Sequence, residues 1–168
     1  NVEVATGVTS LMKGEVLEDV ARGIDECSIR QPLGVFASFS PFNFPCMIPF
    51  WSMPYALATG NTVVVKPSPR VPLTMEKVFE LIDCAGFPPG VVNLVNGGEE
   101  VANVILESEY VKGISFVGST KVGEYVYSKS SQYKKRAQVQ SPTIFTIGVC
   151  AFFALCRLAS PLPSPGPR

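Results

Sequence analysis

The chain has 168 residues, of which 46% are apolar and 17% charged, and its 14 basic residues balance its 14 acidic ones to a formal net charge of zero. Such a composition suits one globular domain with a core of its own, and it lacks the basic excess of a nucleic-acid surface. There is no histidine, which excludes a Ser-His-Asp relay and a histidine-bound zinc within these residues, and no metal site is expected. The five cysteines, Cys27, Cys46, Cys84, Cys150 and Cys156, form no Cys-x2-Cys pair, so they read as reduced thiols, with Cys46 and Cys84 expected in the core.

Residues 1–13 read as the end of a helix, weakened by Gly7, and a start at Asn1 reads as a cut rather than a natural terminus. Residues 15–33 alternate loosely, as exposed strands or a hairpin arm do. From Gly34 the pattern becomes regular. Residues 34–39 predict a buried strand, 45–59 a helix distorted by Pro49 and Pro54, and 62–66 a second strand. A helix over 72–85 follows, with Met75, Val78, Phe79 and Ile82 on one stripe, then a strand over 91–95. The spacing next predicts a helix over 99–107 with Val101, Val104 and Ile105 inward, a strand over 113–117, a helix over 119–130 and a strand over 136–140. Lys134-Lys135-Arg136 reads as a solvated approach to that last strand.

Strands apolar on both faces that alternate with helices predict an α/β fold, a doubly wound, Rossmann-like parallel sheet. Ligands of such sheets lie beyond the carboxyl ends of the strands. That rule selects residues 40–45, 66–70, 96–98 and 118–120. In the first loop, "SPFNFP", two prolines stiffen the chain around Asn43. Its amide would either cap the following helix or donate to a developing oxyanion. Gly118-Ser119 follows a strand and opens a helix: a plain strand-to-helix turn, or a phosphate site in which Gly118 allows the turn and Ser119 caps or donates its hydroxyl. Lys66, held by Pro67 and Pro69, either snorkels or reaches ribose hydroxyls, with Arg70 as a second cation. Asn96-Gly97-Gly98 fits a turn or a close approach of backbone to ligand.

Together, "RQPLGVFASFSPFNFP", "ALATGNTVVVKPS", "PLT", "AGFPPGVVNLVNGG" and "GISFVGSTKVGEYVY" resemble the aldehyde dehydrogenase superfamily, in its order and spacing over residues 1–140. Phe42, with "SFVGS" followed by "GEYVY", resembles the CoA-acylating methylmalonate-semialdehyde dehydrogenase branch. The resemblance implies an enzyme that forms a thiohemiacetal on a cysteine, passes hydride to NAD, and hands the acyl group to CoA with loss of CO2. It implies a small semialdehyde substrate, a homo-oligomeric parent, and a cytoplasmic location, or the mitochondrial matrix in a eukaryote. No nucleic-acid or membrane partner is implied. By the same resemblance Asn43 is the oxyanion donor, Ser40 and Phe42 lie on the nicotinamide side, Lys66 and Arg70 on the adenosine side, and Gly118 and Ser119 beside the pyrophosphate.

Two departures stand out. Where the family writes Lys-Pro-Ser-Glu, this chain has Pro69, which has no side-chain acceptor for ribose hydroxyls and leaves the preference between NAD and its phosphorylated form open. After Gln140 the family's Gly-Ala-Lys-Asn-His and Gly-x-Arg-Cys segments do not follow. Cys150 and Cys156 do not stand for the nucleophile, and without one these residues are expected not to oxidise an aldehyde. The chain thus divides into a helix end and strand arm at 1–33, a partial NAD-binding domain at 34–140, and an aberrant tail at 141–168. The tail reads as a frameshift or read-through with a disordered Pro-rich end; its apolar run is shorter than a bilayer span. A free-standing nucleotide-binding module and a tail-anchored protein are the competing readings.

Overall fold

The computed structural model describes residues 1–141 and the short strand Cys156–Leu158. The expectations for the rest of the tail lie outside the described residues. Helix α1 (Val2–Thr6) and a 3-10 turn (Val8–Leu11) seat Ala5 and Val8 in the interior. The expected hairpin arm follows as β1 (Val16–Ala21) and β2 (Ile24–Cys27), an antiparallel pair whose first strand is exposed along its whole length. Strand β3 is Arg30–Pro32.

The regular part alternates β4 (Val35–Phe39), α2 (Pro49–Ala58), β5 (Thr62–Lys66), α3 (Pro72–Cys84), β6 (Val92–Leu94), α4 (Glu99–Glu107), β7 (Val111–Val117), α5 (Thr120–Gln132) and β8 (Arg136–Gln140). Its five strands form one parallel sheet in the order β6-β5-β4-β7-β8. The backbone of β3 pairs antiparallel with β9 (Cys156–Leu158).

Side chains alternate across each strand, so the central strand serves both faces. Ala37 and Phe39 join Ile114, Phe116, Val139 and the α4 and α5 residues Ile105, Leu106 and Val126 on one face. Phe36 joins Val63, Val65 and the α2 and α3 residues Met53, Ala56 and Met75 on the other. Two apolar layers on one sheet is the doubly wound arrangement the sequence predicts.

Several local expectations are corrected. Helix α2 begins at Pro49, four residues after the predicted start. A helix begun at Pro45 would place the Pro49 ring against the carbonyl of residue 45, whereas at the first helical position its missing N–H costs nothing. Val104 is 68% exposed, because Val101 with Ile105 and Ala102 with Leu106 set the buried stripe of α4. Cys46, in the turn before α2, and Cys84, at the end of α3, are exposed rather than in the core.

Lys135 is 9% exposed rather than solvated. Its ammonium donates to the carbonyls of Ser108 and, at 2.8 Å, Val111, tying the entry of β7 to that of β8. Burial, and then the nearby Lys112, hold its pKa below the usual lysine value.

Asn61 plays the matching part at the entry of β4 and β5. Buried at 2% exposure, its Oδ1 accepts from the Leu33 and Gly34 amides at 2.8 and 3.0 Å. Its Nδ2 donates to the Ala56 carbonyl and to Thr59 Oγ1 at 3.2 and 2.9 Å. Gly60, at φ 84°, makes the preceding left-handed step that ends α2 and delivers Asn61 to this position. Among the described residues, no helix is long and apolar enough to cross a membrane.

Candidate functional site

Strand order reverses at β4: the chain runs outward through β5 and β6, then returns to lay β7 against the other edge of β4. The carboxyl ends of β4 and β7 therefore send their loops apart and leave a crevice between them. A cavity of about 430 Å³ occupies that place, lined by the loop residues Pro41, Phe42, Asn43 and Phe44, by Val117, Gly118 and Ser119, and by Gln140 and Ser141. Met47, Ile48 and Trp51, from the turn and first residues of α2, close its side.

The crevice brings together four of the seven residues singled out in the sequence: Phe42, Asn43, Gly118 and Ser119. Ser40 stands at the end of β4, next to the lining residue Pro41. It is 7% exposed, its amide donates to the Lys66 carbonyl at 3.2 Å, and among the described residues its Oγ has no hydrogen-bond partner. A buried hydroxyl in that condition costs about 1–3 kcal/mol. Asn43 is exposed and does not cap the helix: the N-cap of α2 is Ile48, five residues later. The capping alternative for Asn43 is thereby removed.

At the other wall, Ser119 takes the N-cap position of α5 with extended backbone, yet its hydroxyl makes no capping hydrogen bond. The first turn of a 13-residue helix thus presents amide donors at the crevice without a side-chain cap. Gly118 allows the turn through space rather than through a left-handed backbone: its φ is not positive, and a Cβ there would lie 2.5 Å from Phe116 Cζ.

Lys66 and Arg70 lie outside the crevice lining, at the carboxyl end of the neighbouring strand. Alternation along β5, with Val63 and Val65 toward α2 and α3, turns Lys66 to the α4–α5 face. It is 7% exposed, donates to the Pro67 carbonyl at 3.3 Å, and burial lowers its pKa. The Arg70 guanidinium stacks over the Phe42 ring at 4.2 Å, which couples this second locus to the crevice wall. The loop at Asn96 turns instead toward α3, where Asn96 Nδ2 donates to Glu76 Oε1 at 2.8 Å.

Sequence reasoning missed Trp51, Met47 and Gln140 as lining residues. Gln140 ends a strand, so the carboxyl-end rule applied to β8 would have found it. Trp51 had only its position near the start of a helix after such a loop to mark it.

Residues 1–143 match the model of the aldehyde dehydrogenase family. The chain is 50% identical over 138 residues to malonate-semialdehyde dehydrogenase of Lacticaseibacillus casei and 53% identical over 137 residues to that of Bacillus cytotoxicus. Each alignment takes in 82% of this chain and 28% of the relative, so the chain spans just over a quarter of the length of the curated relatives it matches. Among solved structures, methylmalonate-semialdehyde dehydrogenase from Oceanimonas doudoroffii is similar with a TM-score of 0.80 and 45% identity, over 83% of this chain and 28% of that one. A point mutant of betaine aldehyde dehydrogenase from Staphylococcus aureus, in complex with NAD+, is similar with a TM-score of 0.79 and 29% identity, over 84% of this chain and 29% of that one. By sequence over most of its length and by the fold of its parallel sheet, the chain belongs to the aldehyde dehydrogenase family.

Proposed function

We propose that these residues form the dinucleotide-binding sheet and the oxyanion-donating loop of an NAD-dependent, CoA-acylating dehydrogenase of malonate or methylmalonate semialdehyde. The observation that carries this is the crevice at the reversal of strand order, with an orphaned buried hydroxyl one residue before its lining loop and a helix start without a side-chain cap at its other wall. Both are polar groups that a bound dinucleotide would satisfy.

When bound, NAD supplies the hydride acceptor. The chain's own residues hold it: Ser119 and the first amides of α5 face the pyrophosphate, Ser40 and Phe42 the nicotinamide side, and Lys66 and Arg70 the adenosine side. Asn43 presents its carboxamide N–H2 to the oxygen of the aldehyde as that oxygen gains charge. One such donor is worth about 3 kcal/mol in a transition state. The malonate- and methylmalonate-semialdehyde relatives support the substrate class.

None of the described cysteines, Cys27, Cys46 and Cys84, lines the crevice, and no Gly-x-Arg-Cys segment occurs in the chain. These residues by themselves therefore bind the dinucleotide without turning over an aldehyde. The free thiols fit a reducing, cytoplasmic setting. Val16, Leu17, Val20 and Ile24, all exposed on the hairpin, favour a self-associating parent, which sedimentation would register as a mass above one chain.

Titration with NAD tests the reading. The melting temperature should rise and saturate, while malonate semialdehyde and CoA added with NAD should yield no reduced dinucleotide. An unmoved melting temperature at millimolar NAD would sink the proposal, and reduced dinucleotide would refute the missing-nucleophile part of it.

A further inference from the structure

Among the described residues, the carboxyl end of β5 is a cationic place with nothing anionic in it. Lys66 is nine-tenths buried, and among the described residues only one of its three N–H donors is engaged, by the Pro67 carbonyl at 3.3 Å. A buried ammonium in this state calls for an anion. Arg70, four residues on, forms no ion pair among the described residues, and its guanidinium carbon lies over the Phe42 ring, 4.2 Å from the centroid.

Between them the loop has no carboxylate. Pro69 has no side-chain acceptor, and Ser68 Oγ already accepts from the Arg70 amide at 3.4 Å. The nearby acids are turned elsewhere: Glu76 of α3 is engaged by Asn96, and Glu99 and Glu100, exposed on the first turn of α4, make no ion pair to either cation among the described residues. In dinucleotide sheets an acidic side chain at such a strand end accepts from the ribose 2′-hydroxyl, whereas a nearby arginine accommodates a 2′-phosphate.

We infer that the adenosine side of this site accepts a 2′-phosphorylated dinucleotide, NADP, in preference to NAD, with Arg70 and Lys66 as the phosphate ligands. This rests on the dinucleotide reading above. Arg70 supplies a planar fork for two phosphate oxygens, and Lys66 supplies a point charge whose burial strengthens the contact. Stacking on Phe42 fixes the guanidinium beforehand, so less freedom is lost on binding.

Parallel calorimetric titrations of the whole chain with NAD and with NADP, at low and high salt, decide the matter. NADP should bind about tenfold more tightly, as one charge-assisted hydrogen-bond pair warrants, and the preference should shrink as salt screens the phosphate. Arg70→Ala should lower the NADP-to-NAD preference about tenfold, and Pro69→Glu should reverse it by placing a carboxylate against the phosphate. Tighter binding of NAD by the unaltered chain overturns the inference and leaves the dinucleotide reading standing. Binding of neither overturns both. The comparison within the unaltered chain stays decisive even where a variant fails to fold.

Discussion

The two edges of the parallel sheet treat their polar groups in opposite ways. At the amino edge, Asn61 makes four hydrogen bonds, and the buried Lys135 is held by two carbonyls. At the carboxyl edge, among the described residues, Ser40 Oγ has no partner, the Ser119 hydroxyl makes no capping bond, and Lys66 makes one long bond. Ser130 Oγ, buried near the end of α5 without a partner, is the exception at the amino edge. Unmade hydrogen bonds weaken a fold, so their concentration around a crevice marks the edge where a ligand completes the structure. On the function proposed above, stability and binding are divided between opposite ends of the same five strands.

The largest expected effect breaks the amino edge. Asn61→Ala strands the Leu33 and Gly34 amides and removes both donors to the end of α2. It should cost about 3 kcal/mol in urea unfolding, more than a typical single substitution, while dinucleotide affinity of the folded protein is retained. An unchanged midpoint would mean that the amino edge is not what secures the fold.

Lys66→Met should act in the opposite direction. Burial makes the folded state hold the Lys66 proton less well than the unfolded chain does. The penalty is therefore full below the lowered folded pKa and fades as pH rises from there toward 10.5, the ordinary lysine value. Wild-type stability should climb through that window. Lys135, also lowered by burial, adds a rise of the same sign, so the difference between variant and wild type isolates Lys66. The variant should be more stable by about 1 kcal/mol at neutral pH, should lose that advantage toward pH 10.5, and should bind dinucleotide less tightly. Equal destabilisation at every pH would place Lys66 with the structural residues instead.

The division between the edges was legible in the sequence only where it rests on local pattern. Periodicity located α4 and β8 at their observed bounds, Glu99–Glu107 and Arg136–Gln140, because apolar spacing and the glycines and polar residues around them agree. The carboxyl-end rule then selected Phe42, Asn43, Gly118 and Ser119 without knowing which strands were neighbours. Asn61 carries no reading and Lys135 reads as solvated because the strand ends that each holds in place, at Leu33–Gly34 and at Ser108 and Val111, lie more than twenty residues away, and nothing local distinguishes a stapling lysine from a solvated one. Pro45 and Pro49 are equally good first residues of a helix, so the start of α2 was decided by the ring clash that a longer helix would bring. Trp51 reaches the crevice from the first turns of α2, a consequence of tertiary packing.

The smallest expected change in stability is also the sharpest test of the comparison. Replacing a capping serine by alanine ordinarily costs about 1 kcal/mol, because the hydroxyl satisfies an amide of the first turn. Ser119 occupies the cap position, with φ −69° and ψ 152°, and its carbonyl accepts the Gly123 amide at 2.9 Å, but its hydroxyl makes no such bond. Ser119→Ala should therefore change the unfolding free energy in urea by less than about 0.5 kcal/mol. If the hydroxyl faces the pyrophosphate, its loss should weaken dinucleotide binding about tenfold or more, the scale of one hydrogen bond to a charged group. A full capping loss with unchanged binding would return Ser119 to the structural residues and leave the carboxyl edge without its phosphate contact; the predicted split, stability kept and affinity lost, is what a helix start reserved for a ligand must show.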